Sequence, residues 1–165
     1  MNKSLVEENL GQQVGRIAGV ICSDNFSTGG RAALRRFTPG GPLAIEFYRF
    51  AYRYLPAGWE SSMDEWSTLV AGIALMSPNA YDPRVRYGTA LAESGYSDLR
   101  LERLLQANGE VQRVLFLRSI RFLSQKSRPF NWTDGARFLL TRDASKREVI
   151  NSSIARDYYA KIDKE

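Results

Sequence analysis

Glu110-Val111-Gln112-Arg113-Val114-Leu115-Phe116-Leu117-Arg118-Ser119-Ile120-Arg121-Phe122-Leu123-Ser124-Gln125 reads as one long amphipathic helix. At about 100° per residue, Val111, Phe122, Leu115, Leu123, Phe116 and Ile120 fill roughly half the circumference. Arg113, Arg121, Gln125 and Arg118 fall within an arc of about 140° on the other side. Beyond Glu110 the stretch has no acid. A solvated helix face ordinarily mixes both signs, so an all-basic stripe on a core helix points to a charged partner.

The same periodicity extends outward in both directions. Upstream, Asn108-Gly109 breaks a helix that Ser97 caps and that ends at Gln106; before it lies a short helix, Tyr87 to Glu93, stopped by Gly95. Met63, Trp66, Val70 and Ile73 form the expected buried stripe of a helix opened by Ser61 or Ser62 and closed at Ser77-Pro78. Ala44, Tyr48, Ala51, Tyr52 and Leu55 mark another, with Arg49 and Arg53 on a separate face. Leu10, Val14, Ile17, Ala18 and Ile21 mark the first, which follows Met1-Asn2-Lys3-Ser4. Downstream, Asn131-Trp132-Thr133-Asp134 starts a helix running to about Thr141. Ser145 starts the last, in which Val149, Ile150, Ile154, Tyr158 and Tyr159 pack. No strand alternation of useful length occurs. The expectation is an all-α bundle of about eight helices, with candidate subdomains at 1–80 and 84–165 on either side of the break at Tyr81 to Arg86.

One short helix is electrostatically odd. Gly29-Gly30-Arg31-Ala32-Ala33-Leu34-Arg35-Arg36-Phe37 is capped by Ser27 or Thr28 and stopped by Thr38-Pro39-Gly40-Gly41-Pro42. Arg31 and Arg35 share a face four apart and repel by roughly 0.2 to 0.5 kcal/mol. Arg31 also sits in the first turn, where the helix dipole disfavours a cation. An anion such as phosphate would repair both faults. The alternative is a solvated face with the arginine stems lying on apolar surface.

The composition is globular, with 44% hydrophobic and 12% aromatic residues. The net charge of +5 comes mostly from arginine: eighteen Arg stand against five Lys. Arginine in such excess suits planar, bidentate recognition of phosphate or carboxylate. From Arg100 to Arg147 eleven basic residues face four acidic ones, which directs the positive field to that half and points to a polyanion. There is one cysteine, Cys22, and no histidine, which excludes an intrachain disulfide, a Cys/His zinc site and imidazole catalysis. No apolar run approaches a membrane span, and no signal sequence is read at the start, so a cytoplasmic protein without a membrane partner is expected.

The carboxylates Glu7, Glu8, Asp64, Glu65, Asp82, Asp134 and Asp143 are scattered, so no metal-dependent nuclease centre is expected. Gly29-Gly30 lacks the Gly-Lys-Ser/Thr of a nucleotide loop. Neither an enzyme nor a cofactor is expected; the chain reads as a binder. The helices on either side of Asn108-Gly109 imitate a helix-turn-helix, but the second presents Glu110 where base-reading residues belong, and Arg118 and Arg121 lie deep within it. Arginines so placed suit phosphate contacts that position a nucleic acid without reading it.

Together these residues resemble the CasB family, the small subunit of the type I-E CRISPR surveillance complex Cascade. Ala33-Leu34-Arg35-Arg36 followed by Phe47-Tyr48-Arg49, then Gly88-Thr89-Ala90-Leu91-Ala92-Glu93-Ser94-Gly95, Arg103-Leu104-Leu105, Leu117-Arg118 and Asn131-Trp132 match the family's elements in order and spacing. The match runs from about Ser23 to Ile162. Asn131 stands where the family commonly has Asp, the Thr38 to Pro42 loop is insertion-like, and Ser61 to Ser67 is more neutral than in some relatives. The resemblance implies a non-catalytic helical subunit, two copies of which stack along the crRNA-bearing backbone. It also implies support of the crRNA and target DNA hybrid, retention of displaced single-stranded DNA, and contacts with backbone and large subunits. On this reading Arg31, Arg35, Arg36, Arg118 and Arg121 touch phosphate, with Arg103, Arg113, Lys126 and Arg142 in support. Tyr48, Tyr52 and Trp132 read as core residues, with aromatic platforms for single-stranded DNA as the alternative. Reversing Arg35 and Arg36 to Glu is expected to weaken nucleic-acid retention without unfolding the chain. Two other classes remain open at this level: a stand-alone helical DNA-binding regulator, and a helical adaptor for acidic proteins.

Overall fold

The computed structural model describes residues 3–163, with side chains from residue 9 onward; Met1, Asn2 and the side chains of Lys3, Ser4, Glu7 and Glu8 lie outside the described residues. Along them run nine α-helices, against the eight or so expected: α1 (Lys3–Ile21), α2 (Thr28–Arg35), α3 (Ile45–Tyr54), α4 (Met63–Met76), α5 (Tyr87–Glu93), α6 (Asp98–Gln106), α7 (Gly109–Gln125), α8 (Trp132–Leu140) and α9 (Ala144–Ile162). A 3-10 turn, Trp59–Ser62, precedes α4. The only extended pairing among the described residues is an isolated bridge between Tyr81 and Phe130. The fold is all-α.

At the centre lies α4. The expected single stripe understates it, because every residue from Trp66 to Ala74 is buried. A helix apolar on all sides belongs in the middle of a bundle. Around it pack α2, α7, α8 and α1. Gly72 lets the neighbours close in: a Cβ there would lie 2.7 Å from the Trp132 ring and 3.6 Å from Leu117. Trp132 is accordingly a core residue, fully buried with its indole N–H donating to the Ala80 carbonyl at 2.9 Å. Residues on both sides of the candidate break at Tyr81 to Arg86 contribute to one apolar core from Val14 to Tyr158.

The long helix α7 is amphipathic as expected, with its phase rotated. Phe116, Leu117, Ile120 and Leu123 are fully buried, whereas Val111 is 59% exposed. Ser119 and Gln112 are buried too, each hydrogen-bonded: Ser119 to Tyr87 and the Phe116 carbonyl, Gln112 to the Phe138 carbonyl. On α9, Ile154 and Tyr158 are buried, but Val149 is 70% and Tyr159 42% exposed, so the packing stripe is narrower than its apolar residues suggest.

Candidate nucleic-acid interface

Between α6 and α7 lies an open groove of about 420 Å³ whose lining includes Arg100, Arg103, Arg118, Arg121, Phe122 and Gln125. Its geometry follows from local sequence. Gly95, at φ 83°, ends α5 in the left-handed turn that favours glycine. Ser97 then caps α6 by accepting from the Arg100 N–H. The far end of α6 is held by α9, where Arg147 donates to the Ala107 carbonyl and the Asn108 side chain, and Asn151 donates to the Leu105 carbonyl. With α7 fixed by its four buried apolar residues, the two helices hold their arginines against one another.

An aromatic floor supports the cations. Tyr96 and Phe122 meet edge to face at 5.5 Å between centroids. The Arg100 guanidinium lies 6.0 Å from the Tyr96 ring and 5.8 Å from Phe122, and Lys126 Nζ is 5.8 Å from Phe122. Burial raises the Tyr96 hydroxyl pKa above its ordinary value, with Arg100 working against that shift. The phenol therefore stays neutral and adds no anion to the groove. Among the described residues, Arg100, Arg103, Arg118 and Arg121 form no ion pair. Four cations crowded without acids favour an anionic occupant, and guanidinium groups offer phosphate paired donors.

Of the sequence-predicted residues, the structure brings Arg103, Arg118 and Arg121 together here, with Lys126 at the floor. It does not bring the others to this groove. Arg113 is the clearest correction: its side chain is only 14% exposed and turns toward α4, within 3.8 Å of Asp64 and 3.9 Å of Glu65. Arg142 lies 3.6 Å from the same Glu65 and donates to the Ser61 carbonyl at 2.7 Å. The expected solvent-facing arc thus loses Arg113 to an intramolecular ion pair.

The arginines of α2 find their counter-charge within the chain. Arg31 donates to the carbonyls of Ile21 and Ser23 at the end of α1, at 2.9 Å for each. Arg35 donates to Ala74 at 2.7 Å and Ser77 at 3.3 Å at the end of α4. A helix C-terminus carries roughly half a negative charge, which offsets the dipole and repulsion faults that seemed to call for phosphate. Arg36 is exposed and donates only to its own helix, at Ala32.

Sequence reasoning missed Arg100 as a site residue. The signal was present, because Arg100 and Arg103 are three apart on α6 and so share a face. It also undervalued Arg49 and Arg53, exposed on α3. No cluster of three or more potential metal ligands occurs among the described residues. No described helix is long and apolar enough to cross a membrane.

The family model described as CRISPR-associated protein Cse2 matches residues 30–159, a span that includes the whole α6/α7 groove. No curated protein matches the chain.

Proposed function

The chain belongs to the CRISPR-associated protein Cse2 family, the Cse2/CasB small subunit of type I-E Cascade in CRISPR defence, and from that premise we propose that it grips nucleic-acid backbone without reading sequence. The observation that carries this reading is the α6/α7 groove, with four arginines, an aromatic floor and no carboxylate in its lining. In an RNA-guided complex the base pairs supply sequence information, and exchanging a DNA duplex for an RNA–DNA hybrid is nearly balanced in free energy. A protein surface that neutralises phosphate tips that balance without needing to discriminate bases.

On this reading the subunit acts without catalysis. Arg100, Arg103, Arg118 and Arg121 hold backbone of the crRNA and target DNA hybrid or of the displaced strand, with Lys126 beside them and Arg36 as an exposed outlying contact. Its neighbours are the backbone and large subunits and a second copy of itself. The test is a pull-down of the tagged chain expressed with the other subunits and a guide, scored for short RNA and then for retention of an opened target duplex. Co-purified guide RNA is expected. Arg103→Glu, Arg118→Glu and Arg121→Glu together should leave the RNA in place but release the opened target. Full retention of the target by that variant would reject the groove as the gripping surface.

A further inference from the structure

α3 turns Phe47, Phe50 and Ala51 into the core and leaves its opposite face to solvent. That outer face carries two parallel rows. Tyr48 and Tyr52, four apart, are 42% and 88% exposed. Arg49 and Arg53, also four apart, lie alongside and are exposed. Among the described residues neither arginine forms an ion pair. The arginine row borders a groove of about 290 Å³ shared with Asn25, Phe26 and Glu46, and Glu46 is the one acid there.

Tyr52 contributes almost nothing to the fold at that exposure. Tyr48 is steadied by an edge contact with Phe47, ring centres 5.9 Å apart. An exposed aromatic row beside an unpaired cationic row matches the two features of an unpaired nucleotide strand, open base faces and regularly spaced phosphates. A duplex fits poorly, because its base faces already stack on one another. Residues four apart on a helix are separated by about 6 Å along its axis, against 3.4 Å between stacked bases of a duplex strand. The two rings therefore suit bases of a stretched strand.

We propose that the outer face of α3 is a stacking platform for single-stranded nucleic acid, with Tyr48 and Tyr52 taking bases and Arg49 and Arg53 the adjoining phosphates. It rests on the reading that the chain binds nucleic-acid backbone, and adds a base-dependent component. The α6/α7 groove lacks that component, since cations cover its aromatic rings.

The full-length chain is titrated at low salt with labelled oligothymidylate of about 16 nucleotides and with an abasic strand of equal length. Wild type should bind the thymidylate strand roughly tenfold or more tighter, the factor one base–aromatic stack is worth. Tyr48→Ala with Tyr52→Ala should erase the difference, and Tyr48→Phe with Tyr52→Phe should keep it. Arg118→Glu with Arg121→Glu should weaken both strands in parallel. Equal binding of the two strands by wild type overturns the platform while leaving backbone binding intact. So does a preference that survives the double alanine variant, in which case the face serves another partner, such as an acidic protein. Failure to bind either strand overturns the backbone reading itself.

Discussion

Removing Arg118 and Arg121 as Arg118→Ala and Arg121→Ala tests whether the α6/α7 groove meets phosphate. Each neutralised phosphate releases counterion, so the logarithm of the binding constant falls with the logarithm of salt with a slope of about −0.7 per contact on a single strand. Four groove arginines acting together predict a contribution near −2.8, or about a fifty-fold loss of affinity between 50 and 200 mM salt. With two removed the contribution falls to about −1.4, and the loss over the same interval to about sevenfold. The measurement is fluorescence anisotropy of a labelled strand across a salt series. Both side chains are exposed and unpaired, so thermal stability should move by less than about 0.5 kcal/mol. Arg35→Ala is the counter-test. It deletes the contacts to Ala74 and Ser77 and should cost about 1.5 kcal/mol of stability while leaving the salt slope in place. An unchanged slope in the groove variant, or an equal flattening by Arg35→Ala, would refute the division between gripping and structural arginines.

Gly88→Ala should destabilise by about 3 kcal/mol or more, because a Cβ there would lie 2.2 Å from the Ile154 carbonyl oxygen on α9 and 3.1 Å from Asp157 Cβ, and backbone cannot step aside. Thermal denaturation should show a drop of roughly 6 to 12 °C. Gly19→Ala, with nothing within 4 Å of the added methyl, should show none. Burial raises the Asp134 carboxyl pKa above its ordinary value, against the Tyr87 N–H, Arg86 and Arg137, which lower it, and with help from Asp157. The folded state therefore holds that proton more readily than the unfolded state. Its stabilising contribution is complete below the ordinary carboxylate range and is lost as pH rises through the raised value. Urea denaturation across mildly acidic pH should show wild type gaining on Asp134→Asn as pH falls, and a constant difference would refute it.

The helical class, the breaks at Gly95 and Asn108-Gly109 and the core face of α1 were legible because they depend on local spacing. Ser97 and Asn131 both cap as their positions suggested. What spacing could not supply was the partner brought by tertiary packing. When each residue turns about 100°, Arg113 sits between Ile120, about 20° to one side on the α7 wheel, and Leu117, about 40° to the other, inside the buried arc. Its placement with the solvent stripe failed because a polar residue type was taken to mark an exposed position. Only the arrival of Asp64 and Glu65 makes that burial tolerable. Tyr52 departs the other way: its helical spacing predicts a core position, yet it is 88% exposed, with nothing among the described residues covering that side of α3.

The arginine excess divides along the same line. A short helix ends in carbonyls without partners, and a bundle of short helices has many such ends. Arg16 donates to Tyr54 at the end of α3, Arg31 to the end of α1, Arg35 to the end of α4 and Arg147 to the end of α6. A guanidinium suits this role because its fork reaches two acceptors and its charge opposes the dipole. Arg84, Arg86, Arg113, Arg128, Arg137 and Arg142 are held by carboxylates. Once the arginines that meet an acid or a carbonyl are set aside, seven remain among the described residues: Arg156, which donates to the Ser153 hydroxyl on α9, and Arg49, Arg53, Arg100, Arg103, Arg118 and Arg121, which fall into two groups, on α3 and in the α6/α7 groove. Net charge could not separate the two populations, since a capping arginine and a gripping arginine count alike. A guanidinium that folding leaves without an acceptor keeps its donors free, and it is the grouping of these six, not the net charge, that favours an anionic partner.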